Sequence, residues 1–360
     1  MQTTPDSDRS DHILGDGMRI VSTQSQNAEA LKRILEERGL LRKDTHVRRF
    51  HDRIGFAVYE HDGLDEILGG LDFETQIAEE SVEEVRKRPR SLREYLEPVL
   101  GEKARLIKRG FDVIGHVAIM ESSDEGHEEE IARAILALNT NVRSVYLKEG
   151  IHEGEYRIQQ VRHIAGEDEP FTVHKENGYR LYLDVRETYF SPRVSGERLR
   201  IAHLVRAGER VLVLFSGIAP YGICLNKHSP AQEIVCVELN EQAHRYALMN
   251  VEKNKATNIR CIQADAREAC HTFRDSGEVF DRIIMPLPRN AHDYLPDVLP
   301  IVRSGGVVHL YHFAREDLIE ESVTQTVREQ LGKRAYTIEH IERVGQYAPG
   351  KFRICADIRV

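Results

Sequence analysis

The second half of the chain alternates short apolar runs with amphipathic stretches of helical length. Four apolar runs, at residues 210–214, 233–237, 259–264 and 280–285, each end at a turn or at a charged residue. Short continuous apolar runs of this kind are typical of parallel strands that helices cover on both faces. The alternation therefore predicts an α/β fold for residues 195–360, with a parallel sheet at its centre.

The turn after the first of these strands reads FSGIAPYG over residues 215–222. A glycine such as Gly217 lets the backbone come close to a ligand, and a helix that starts just after the turn directs unpaired N–H groups at that ligand. Glu238 ends the second strand about twenty residues later, and Asp265 follows the third. Because the carboxyl ends of parallel strands meet at one edge of a sheet, these groups predict a crevice for a nucleoside-type cofactor.

The motifs that are missing narrow the choice of cofactor. A dinucleotide site needs three closely spaced glycines, whereas here only Gly217 and Gly222 occur, with Ala219 between them. A Gly-Lys-Ser/Thr motif for a nucleoside triphosphate is also missing from the sequence. The pattern favours S-adenosylmethionine and a class I, Rossmann-like methyltransferase domain. The alternative is an α/β domain in which Glu238 and Asp265 only cap helices.

The first half of the chain is organised differently. Residues 1–16 are polar and predict a disordered tail, and residues 17–62 predict a small α/β module of βαββ type. Residues 63–105 are rich in Glu and Arg and predict a charged helical connector. Residues 106–194 predict an α+β middle domain with a mostly antiparallel sheet.

Two stretches of this first half have distinctive patterns. Residues 77–88 predict a helix of the connector, and the basic cluster at residues 86–90 either contacts RNA or is a charged helix end before Pro89. Residues 111–120 read FDVIGHVAIM and predict one strand of the middle domain.

Composition limits the classes of function. The chain has 360 residues and a formal net charge of −9, so any binding of nucleic acid must rely on local basic patches. Its five cysteines and seventeen histidines show no metal-ligand spacing such as Cys-x-x-Cys, and no metal site is expected. Residues 1–17 are too polar for a signal peptide, and no apolar run is long enough to cross a bilayer. We expect a soluble, cytoplasmic protein.

Several motifs, spread over residues 111–349, occur together in one known family. They are Phe111-Asp112-Val113-Ile114-Gly115, Gly154-Glu155-Tyr156-Arg157, Tyr189-Phe190-Ser191-Pro192-Arg193 followed by Glu197-Arg198, the turn after residue 214, Pro286-Leu287-Pro288 with Ala291, and Tyr347-Ala348-Pro349. With them the chain resembles, from Met18 onward, the archaeal and eukaryotic tRNA (guanine-37-N1)-methyltransferases. The resemblance implies transfer of a methyl group from S-adenosylmethionine to N1 of guanosine 37, next to the anticodon.

The same resemblance implies how the protein and the tRNA meet. The N-terminal module would contact the outer corner of the tRNA, and the middle domain would lie near the anticodon stem. The domains would cooperate within one chain, so we expect a monomer. Some members of the family are helped by Mg²⁺, which the resemblance therefore allows here.

The resemblance and the required chemistry together suggest roles for individual residues. N1 of guanine carries a proton at neutral pH, so a base must remove it. Glu197 is the predicted base, and Arg157 is predicted to stabilise the negative charge that develops at O6. The predicted cofactor-binding residues are Phe215, Gly217, Ala219, Glu238, Leu239, Asp265, Ala266 and Pro286. The predicted tRNA-binding residues are Tyr189, Arg193, Arg198 and Pro288.

Several of these residues also have a plainer interpretation. Glu197 is equally suited to the first turn of a helix, where an acidic side chain favours the helix dipole. Arg193 and Arg198 could form surface salt bridges instead of contacting phosphates. Tyr189 and Phe215 could pack in the core.

Two positions depart from the family pattern and keep other functions open. Val213 stands where the family usually has an Asp, and Pro286 stands where it usually has an Asn. The first change removes a polar partner for the methionine end of the cofactor, and the second removes a carboxamide near the target base. The alternatives are therefore an aminocarboxypropyl transferase of the wyosine pathway and a non-catalytic tRNA-binding homologue.

Overall fold

The structure, a computed structural model, describes residues 18–80, 89–105, 107, 110–122, 126–150 and 160–360. The chain divides between Pro89 and Arg90 into two compact units. The predicted tail, the basic residues 86–88 and the motif that contains Arg157 lie outside the described residues.

The first unit is a small sheet with helices packed against it. Its elements are β1 Met18–Gln24, α1 Ala28–Glu37, β2 Arg48–Arg49, β3 Arg53–Ala57, α2 Leu64–Gly69 and β4 Thr75–Glu80. The sheet order is β2-β3-β1-β4. Leu31 and Leu35 of α1 are fully buried against Val21 and Phe56, because residues spaced by four along a helix share a face. The predicted βαββ pattern at residues 17–62 is present.

The strand β4 corrects the prediction of a helix over residues 77–88. Residues 75–80 pair antiparallel with β1, with Val21 opposite Ile77 and Ile20 opposite Ala78. An unpaired edge of β1 would leave its backbone N–H and C=O groups without partners, and this requirement outweighs the helical preference of Ala and Glu. The remaining residues of that predicted helix, 81–88, lie outside the described part of the chain.

The second unit begins with a helix and a mixed sheet. The elements are α3 Leu92–Leu100, β5 Phe111–Ile114, β6 Val117–Met120, α4 Glu128–Leu138, β7 Ser144–Lys148 and β8 Val161–Gly166. The sheet order is β5-β6-β7-β8. The pairs β5/β6 and β7/β8 are antiparallel, whereas β6/β7 is parallel and is connected through α4. Ile131 and Ile135 of α4 pack on this sheet.

Residues 111–120 form a hairpin and not the single strand that was predicted. Gly115 has φ +59°, a conformation that strongly favours glycine, and it turns the chain between β5 and β6. A Cβ atom at this position would lie 2.6 Å from the carbonyl oxygen of Val173. The apolar residues on both sides of Gly115-His116 make the stretch resemble one continuous strand.

The rest of the second unit carries the predicted α/β fold. Its elements are β9 Phe171–Glu176, β10 Tyr179–Asp184, α5 Ser195–Leu204, β11 Arg210–Leu214, α6 Pro220–His228, β12 Glu233–Glu238, α7 Glu241–Lys253, β13 Ile259–Gln263, α8 Ala266–Ser276, β14 Phe280–Met285, α9 Leu295–Val298, β15 Val302–Arg315, α10 Ile319–Leu331, β16 Thr337–Ala348 and β17 Lys351–Arg359. The seven-stranded sheet has the order β13-β12-β11-β14-β15-β17-β16. Strands β11 to β15 pair in parallel, and β17 pairs antiparallel with β15 and β16. This Rossmann-like arrangement confirms the predicted fold class.

The hairpin β9–β10 is joined to the helix α7 by two asparagines. The Asn250 side chain accepts a hydrogen bond from the backbone N–H of Tyr182 at 2.7 Å and donates to its carbonyl oxygen at 3.2 Å. Asn254 makes the corresponding pair with the backbone of Arg180. Leu181 and Leu183 of the hairpin lie in the same core cluster as Val211 and Val213 of β11. The hairpin therefore packs against the α/β domain, although the sequence-predicted boundary places it in the middle domain.

Among the described residues, no helix combines the length and the apolar composition that crossing a bilayer requires.

Candidate active site

A cavity of about 450 Å³ lies where the parallel strands β11, β12, β13 and β14 end. Most of the predicted site residues line it. They are Tyr189, Arg198, Phe215, Gly217, Glu238, Leu239, Asp265, Ala266, Pro286 and Pro288. The parallel order of the strands brings the residues from Phe215 onward together, because each predicted turn follows the carboxyl end of its strand. Tyr189 and Arg198 come from the segment between β10 and the end of α5.

The turn between β11 and α6 is built from left-handed backbone conformations. Phe215, Gly217 and Ala219 have φ values of +54°, +55° and +62°. A Cβ atom at Gly217 would have only the Tyr189 carbonyl oxygen within 4 Å, at 3.8 Å, so the backbone conformation and not crowding favours glycine there. Ala219 is fully buried and does not line the cavity, which differs from its predicted contact with the cofactor. It turns the chain into α6.

Glu238 is held at the cavity by backbone donors. Its Oε2 accepts from the Gly217 N–H at 2.6 Å, and its Oε1 accepts from the Asn240 N–H at 2.9 Å. Burial raises the pKa of this carboxyl group above its ordinary value, although the backbone hydrogen bonds oppose the change. A carboxylate has about four acceptor positions, so Glu238 can still accept hydrogen bonds from ligand hydroxyls.

Asp265 both caps a helix and lines the cavity. Its Oδ1 accepts from the backbone N–H groups of Arg267 at 2.8 Å and Glu268 at 3.2 Å, so it is the N-cap of α8. The capping interpretation is thus present in the structure, and the contact with a cofactor stays a prediction. Asn240 does the same at the start of α7 and also lines the cavity. Sequence reasoning missed Asn240, although an Asn directly after a strand and before a helix is a recognisable capping signal.

A second cavity of about 550 Å³ adjoins the first. Six residues line both cavities: Tyr189, Phe190, Ser191, Val194, Tyr347 and Arg353. On its other side the second cavity is lined by the middle sheet, including Asp112 of β5 and Lys148 of β7. Arg193 lines this cavity and donates to Asp112 at 2.5 Å. Gly150 also lines it and immediately precedes residues 151–159, so the predicted catalytic Arg157 falls outside the described residues.

Glu197 lies next to the cavities but lines neither of them. It is in the first turn of α5 with 6 % of its surface exposed. Arg200 donates to both of its oxygens, from Nε at 2.7 Å and from a terminal nitrogen at 2.9 Å. The Tyr311 hydroxyl donates to Oε1 at 2.7 Å. The role of Glu197 as a base remains a prediction, and its connection to the cavity passes through Tyr311, which does line it.

Arg198 corrects the prediction of a contact with loop phosphates. Its side chain is 1 % exposed, and it donates to Glu176 from Nε at 2.7 Å and from a terminal nitrogen at 2.6 Å. Burial would raise the pKa of Glu176, but hydrogen bonds from His174 and Arg198 and the charge of Arg198 lower it to about 2. Because the guanidinium is buried and paired, it joins α5 to the β9–β10 hairpin and is not a surface cation.

The two departures from the family pattern differ in their surroundings. Val213 is fully buried in the core, where it packs against apolar neighbours in place of the polar side chain of the family pattern. Pro286 lines the cavity, and the same loop brings the carboxamide of Asn290 to the cavity wall. Ser216, which sequence reasoning also missed, lines the cavity with a buried hydroxyl that has no hydrogen-bond partner in the described structure. Such an unpaired buried hydroxyl is suited to a polar group of a ligand.

The buried network behind Glu197 contains three side chains with metal-binding atoms. His309, Cys355 and Asp357 bring these atoms within 4.8 Å of one another. Arg200 donates to Asp357 at 2.8 Å, and Arg282 donates to His309 Nε2 at 2.6 Å. His309 therefore carries its hydrogen on Nδ1 and donates it to Asp357 at 2.6 Å. Two guanidinium groups beside these atoms disfavour a cation, so we interpret the group as a structural ion network.

The chain matches two known domain families. Residues 92–169 match the TYW2 N-terminal domain, and residues 172–339 match the TRM5/TYW2 methyltransferase domain. The curated Trm5b tRNA (guanine(37)-N(1))-methyltransferase of Pyrococcus abyssi is 38% identical over 79% of this chain and 84% of its own length. The Trm5b of Methanocaldococcus jannaschii is 30% identical over 93% of this chain and 96% of its own length. A tRNA(Phe) (4-demethylwyosine(37)-C(7)) aminocarboxypropyltransferase of the same organism is 28% identical over 69% of this chain.

Solved structures agree with these matches. The complex of aTrm5 with tRNALeu superposes with a TM-score of 0.80 at 28% identity, and the match covers 95% of this chain and 99% of that one. The motifs that suggested the resemblance are thus parts of a likeness that extends over nearly the whole chain. The identity of 38% over most of both sequences confirms that the chain belongs to the TRM5/TYW2 methyltransferase family.

Proposed function

We propose that this chain transfers the methyl group of S-adenosylmethionine to N1 of guanosine 37 in tRNA. One observation carries the proposal: a cavity at the ends of parallel strands, lined by the carboxyl groups of Glu238 and Asp265, adjoins a second cavity of about 550 Å³ between that domain and the middle sheet. A nucleoside cofactor in the first and a base turned out of the anticodon loop in the second could meet beside Tyr189 and Tyr347. The curated Trm5b relatives support this choice of reaction by their names.

The residues of the first cavity fit S-adenosylmethionine. Glu238 has acceptor positions left for the ribose hydroxyls, and the hydroxyl of Ser216 has no partner within the described structure. Phe215 and Pro286 add apolar surface to the cavity wall, which suits an adenine ring. When bound, the cofactor supplies an electrophilic methyl group on a sulfonium.

The tRNA side of the proposal uses the second cavity. Tyr189 is 45 % exposed and lines both cavities, which suits stacking on a base at their junction. Arg193 has an exposed guanidinium at the same wall. Because the chain is acidic overall, such local cations are needed to bind phosphates. Arg157 keeps its proposed role at O6.

A second reaction on the same fold has one observation in its favour. Residues 92–169 match the TYW2 N-terminal domain, and the aminocarboxypropyltransferase relative shares 28% identity with this chain. The higher identity of the Trm5b relatives, 38% and 30%, favours methyl transfer.

Two differently labelled forms of the cofactor separate these reactions. The purified protein is incubated with an unmodified tRNA transcript bearing G37 and with S-adenosylmethionine labelled either in the methyl group or in the aminobutyrate carbon chain. We expect only the methyl label to reach the RNA, at N1 of residue 37, and we expect an A37 transcript to be inert. Transfer of the chain label alone would establish the second reaction, and tRNA binding without any transfer would establish a non-catalytic homologue.

The role of Glu197 is tested in the same assay. Glu197→Gln should lower turnover by roughly 10²–10⁴-fold, because it removes the base and keeps the size of the side chain. The cofactor affinity should stay the same. Glu252→Gln is a matched control at an exposed carboxylate of α7. Full activity of Glu197→Gln would remove Glu197 from the mechanism.

We further propose that the protein acts as a monomer in the cytoplasm. The family resemblance supports a monomer, because the domains of the family cooperate within one chain. The five cysteines are free thiols, as in a reducing compartment. Light scattering should give a mass near 41.3 kDa. Rates measured with Mg²⁺ and with a chelator test the contribution of Mg²⁺ that the family resemblance allows.

A further inference from the structure

The predicted base does not reach the cavity directly. Glu197 is 6 % exposed, lines neither cavity and has both oxygens occupied by Arg200. Among the described residues, the remaining hydrogen bond to Glu197 comes from the Tyr311 hydroxyl, 2.7 Å from Oε1. Tyr311 lines the cofactor cavity and is itself only 2 % exposed. A proton from the cavity therefore meets Tyr311 before it meets Glu197.

The hydrogen bonds along this path have a fixed direction. A carboxylate paired with a guanidinium has no hydrogen to donate, so Tyr311 is the donor to Glu197. The Tyr221 hydroxyl lies 2.6 Å from the Tyr311 hydroxyl. Because Tyr311 has already given its only hydrogen, Tyr221 must donate to Tyr311. The Tyr221 oxygen then has acceptor positions left, and Tyr221 is among the residues that line the cavity.

We propose that the N1 proton of the target guanine reaches Glu197 through the hydroxyl groups of Tyr221 and Tyr311. This inference rests on the proposed methyl transfer. As the bond between N1 and the transferred methyl group forms and the carbon–sulfur bond breaks, N1–H gives its proton to the Tyr221 oxygen. The Tyr221 proton passes to Tyr311, and the Tyr311 proton passes to Glu197 Oε1. Both tyrosines end neutral, and one proton is gained by Glu197.

The surroundings of Glu197 allow it to accept this proton. Arg200 also donates to both oxygens of Asp357, at 2.8 Å and 3.2 Å, so it keeps an anionic partner when Glu197 becomes neutral. Burial raises the pKa of both tyrosines well above the ordinary value, so a tyrosinate is not a stable intermediate at either position. The protons along the path must therefore move together, and no charge is stored on the tyrosines.

The experiment removes each hydroxyl separately and measures the chemical step. Tyr311→Phe and Tyr221→Phe are compared with the wild type in single-turnover methylation of a G37 transcript, with the enzyme in excess. Tyr146→Phe is the matched control, because its buried hydroxyl also donates to a carboxylate, Asp168 at 2.9 Å, but lines neither cavity. We expect both relay variants to lose roughly 10²-fold or more in rate, with cofactor and tRNA dissociation constants unchanged within about twofold.

A solvent isotope measurement separates a relay from a structural effect. In mixtures of H₂O and D₂O, a plot of the wild-type single-turnover rate against the fraction of D₂O should be curved, since several protons move in one step. For the slow residual reaction of each relay variant, the same plot should be a straight line. Circular dichroism and cofactor binding verify that each variant is folded. Because Tyr221 and Tyr311 are replaced separately, the test still works if one of the two variants misfolds.

The opposite results have distinct meanings. Rates within about threefold of the wild type for both variants, or a straight line for the wild type, would overturn the relay. Failure of the proposed function is a different result, because the wild type would then leave N1 of G37 unmethylated.

Discussion

Carboxylates on the two sides of the cofactor cavity are held by different partners. On the side formed by the ends of β12 and β13, Glu238 and Asp265 accept hydrogen bonds from backbone N–H groups. On the side formed by α5 and β17, Glu176, Glu197 and Asp357 accept from arginines. Backbone donors leave the carboxylate charge uncompensated by a side chain, whereas an arginine neutralises it. The first arrangement suits a ligand, and the second stabilises the fold or accepts a proton.

The pKa values of Glu238, Glu176 and Asp357 also differ according to whether backbone groups or arginines hold the carboxylate. Burial raises the pKa of Glu238, because its backbone donors only partly offset the loss of water. Burial acts in the same direction on Glu176 and Asp357, but hydrogen bonds and charges from His174, Arg198, His309 and Arg200 outweigh it and lower both pKa values. The partner of a buried carboxylate, and not burial alone, therefore decides whether its acid form is favoured.

The largest expected effect comes from breaking an arginine-held pair. Arg198→Ala leaves Glu176 buried without a counter-charge and should lower the free energy of unfolding by about 3–5 kcal/mol. Urea denaturation measures the change. Arg193→Ala is the control, because its pair with Asp112 has an exposed guanidinium and should contribute at most about 1 kcal/mol. Equal losses for the two variants would contradict the distinction between buried and exposed pairs.

The second-largest expected effect is a loss of stability at low pH that is due to Glu176. Its pKa is about 2 in the folded chain, below the ordinary value of 4.5, so the unfolded chain binds the extra proton first as the pH falls. The stabilisation is present above about pH 5 and is lost toward about pH 2, with a magnitude of about 2–3 kcal/mol. Urea denaturation at several pH values should show a smaller loss in Glu176→Gln than in the wild type. Identical pH slopes would show that Glu176 does not titrate differently on folding.

A backbone-held carboxylate should affect binding more than stability. Glu238→Gln should weaken S-adenosylmethionine binding by about 30-fold, or about 2 kcal/mol, because a charged acceptor for the ribose hydroxyls is lost. Calorimetric titration measures the dissociation constant, with Glu252→Gln as the exposed control. If instead Glu238→Gln destabilised the fold and left affinity unchanged, the backbone-held group would be structural.

The smallest effect separates the two roles of Asp265. Asp265→Ala removes the N-cap of α8 and should lower the free energy of unfolding by about 1 kcal/mol. Asp265→Asn keeps an acceptor for the cap and should be nearly as stable as the wild type. A loss of cofactor affinity in both variants would mean that the carboxylate also contacts the ligand. A loss in the alanine variant alone would assign Asp265 to capping.

The cofactor cavity could be predicted from the sequence because its signals are local. Each parallel strand is a short apolar run, and the polar group follows it directly, as at Glu238 and Asp265. The sheet order then brings these strand ends to one edge without further information. The family motifs added the middle domain and the residues at the junction of the two cavities, such as Tyr189.

Apart from the i,i+3 pair of Glu197 and Arg200, the arginine-held side could not be predicted, because its partners are distant in sequence. Arg198 pairs with Glu176 on a different element, and Tyr221 meets Tyr311 across ninety positions. The sequence Glu197-Arg198 at the start of a helix does not indicate which of the two side chains will be buried, or which partner will neutralise its charge. The strand β4 is a similar case. It forms by pairing with the edge of β1, and the sequence around residues 75–80 does not show that this edge is available.

The contacts of Asn250 bear on how the catalytic half of the protein can be produced in isolation. This side chain is fully buried, and its amide bonds the backbone of Tyr182 and the Ile218 carbonyl oxygen. A recombinant fragment starting at Ser195 would strip two of these three bonds from Asn250 and uncover the apolar surface beneath the hairpin. A fragment starting near residue 170 would be longer but would retain both, and we expect it to remain soluble and to bind S-adenosylmethionine.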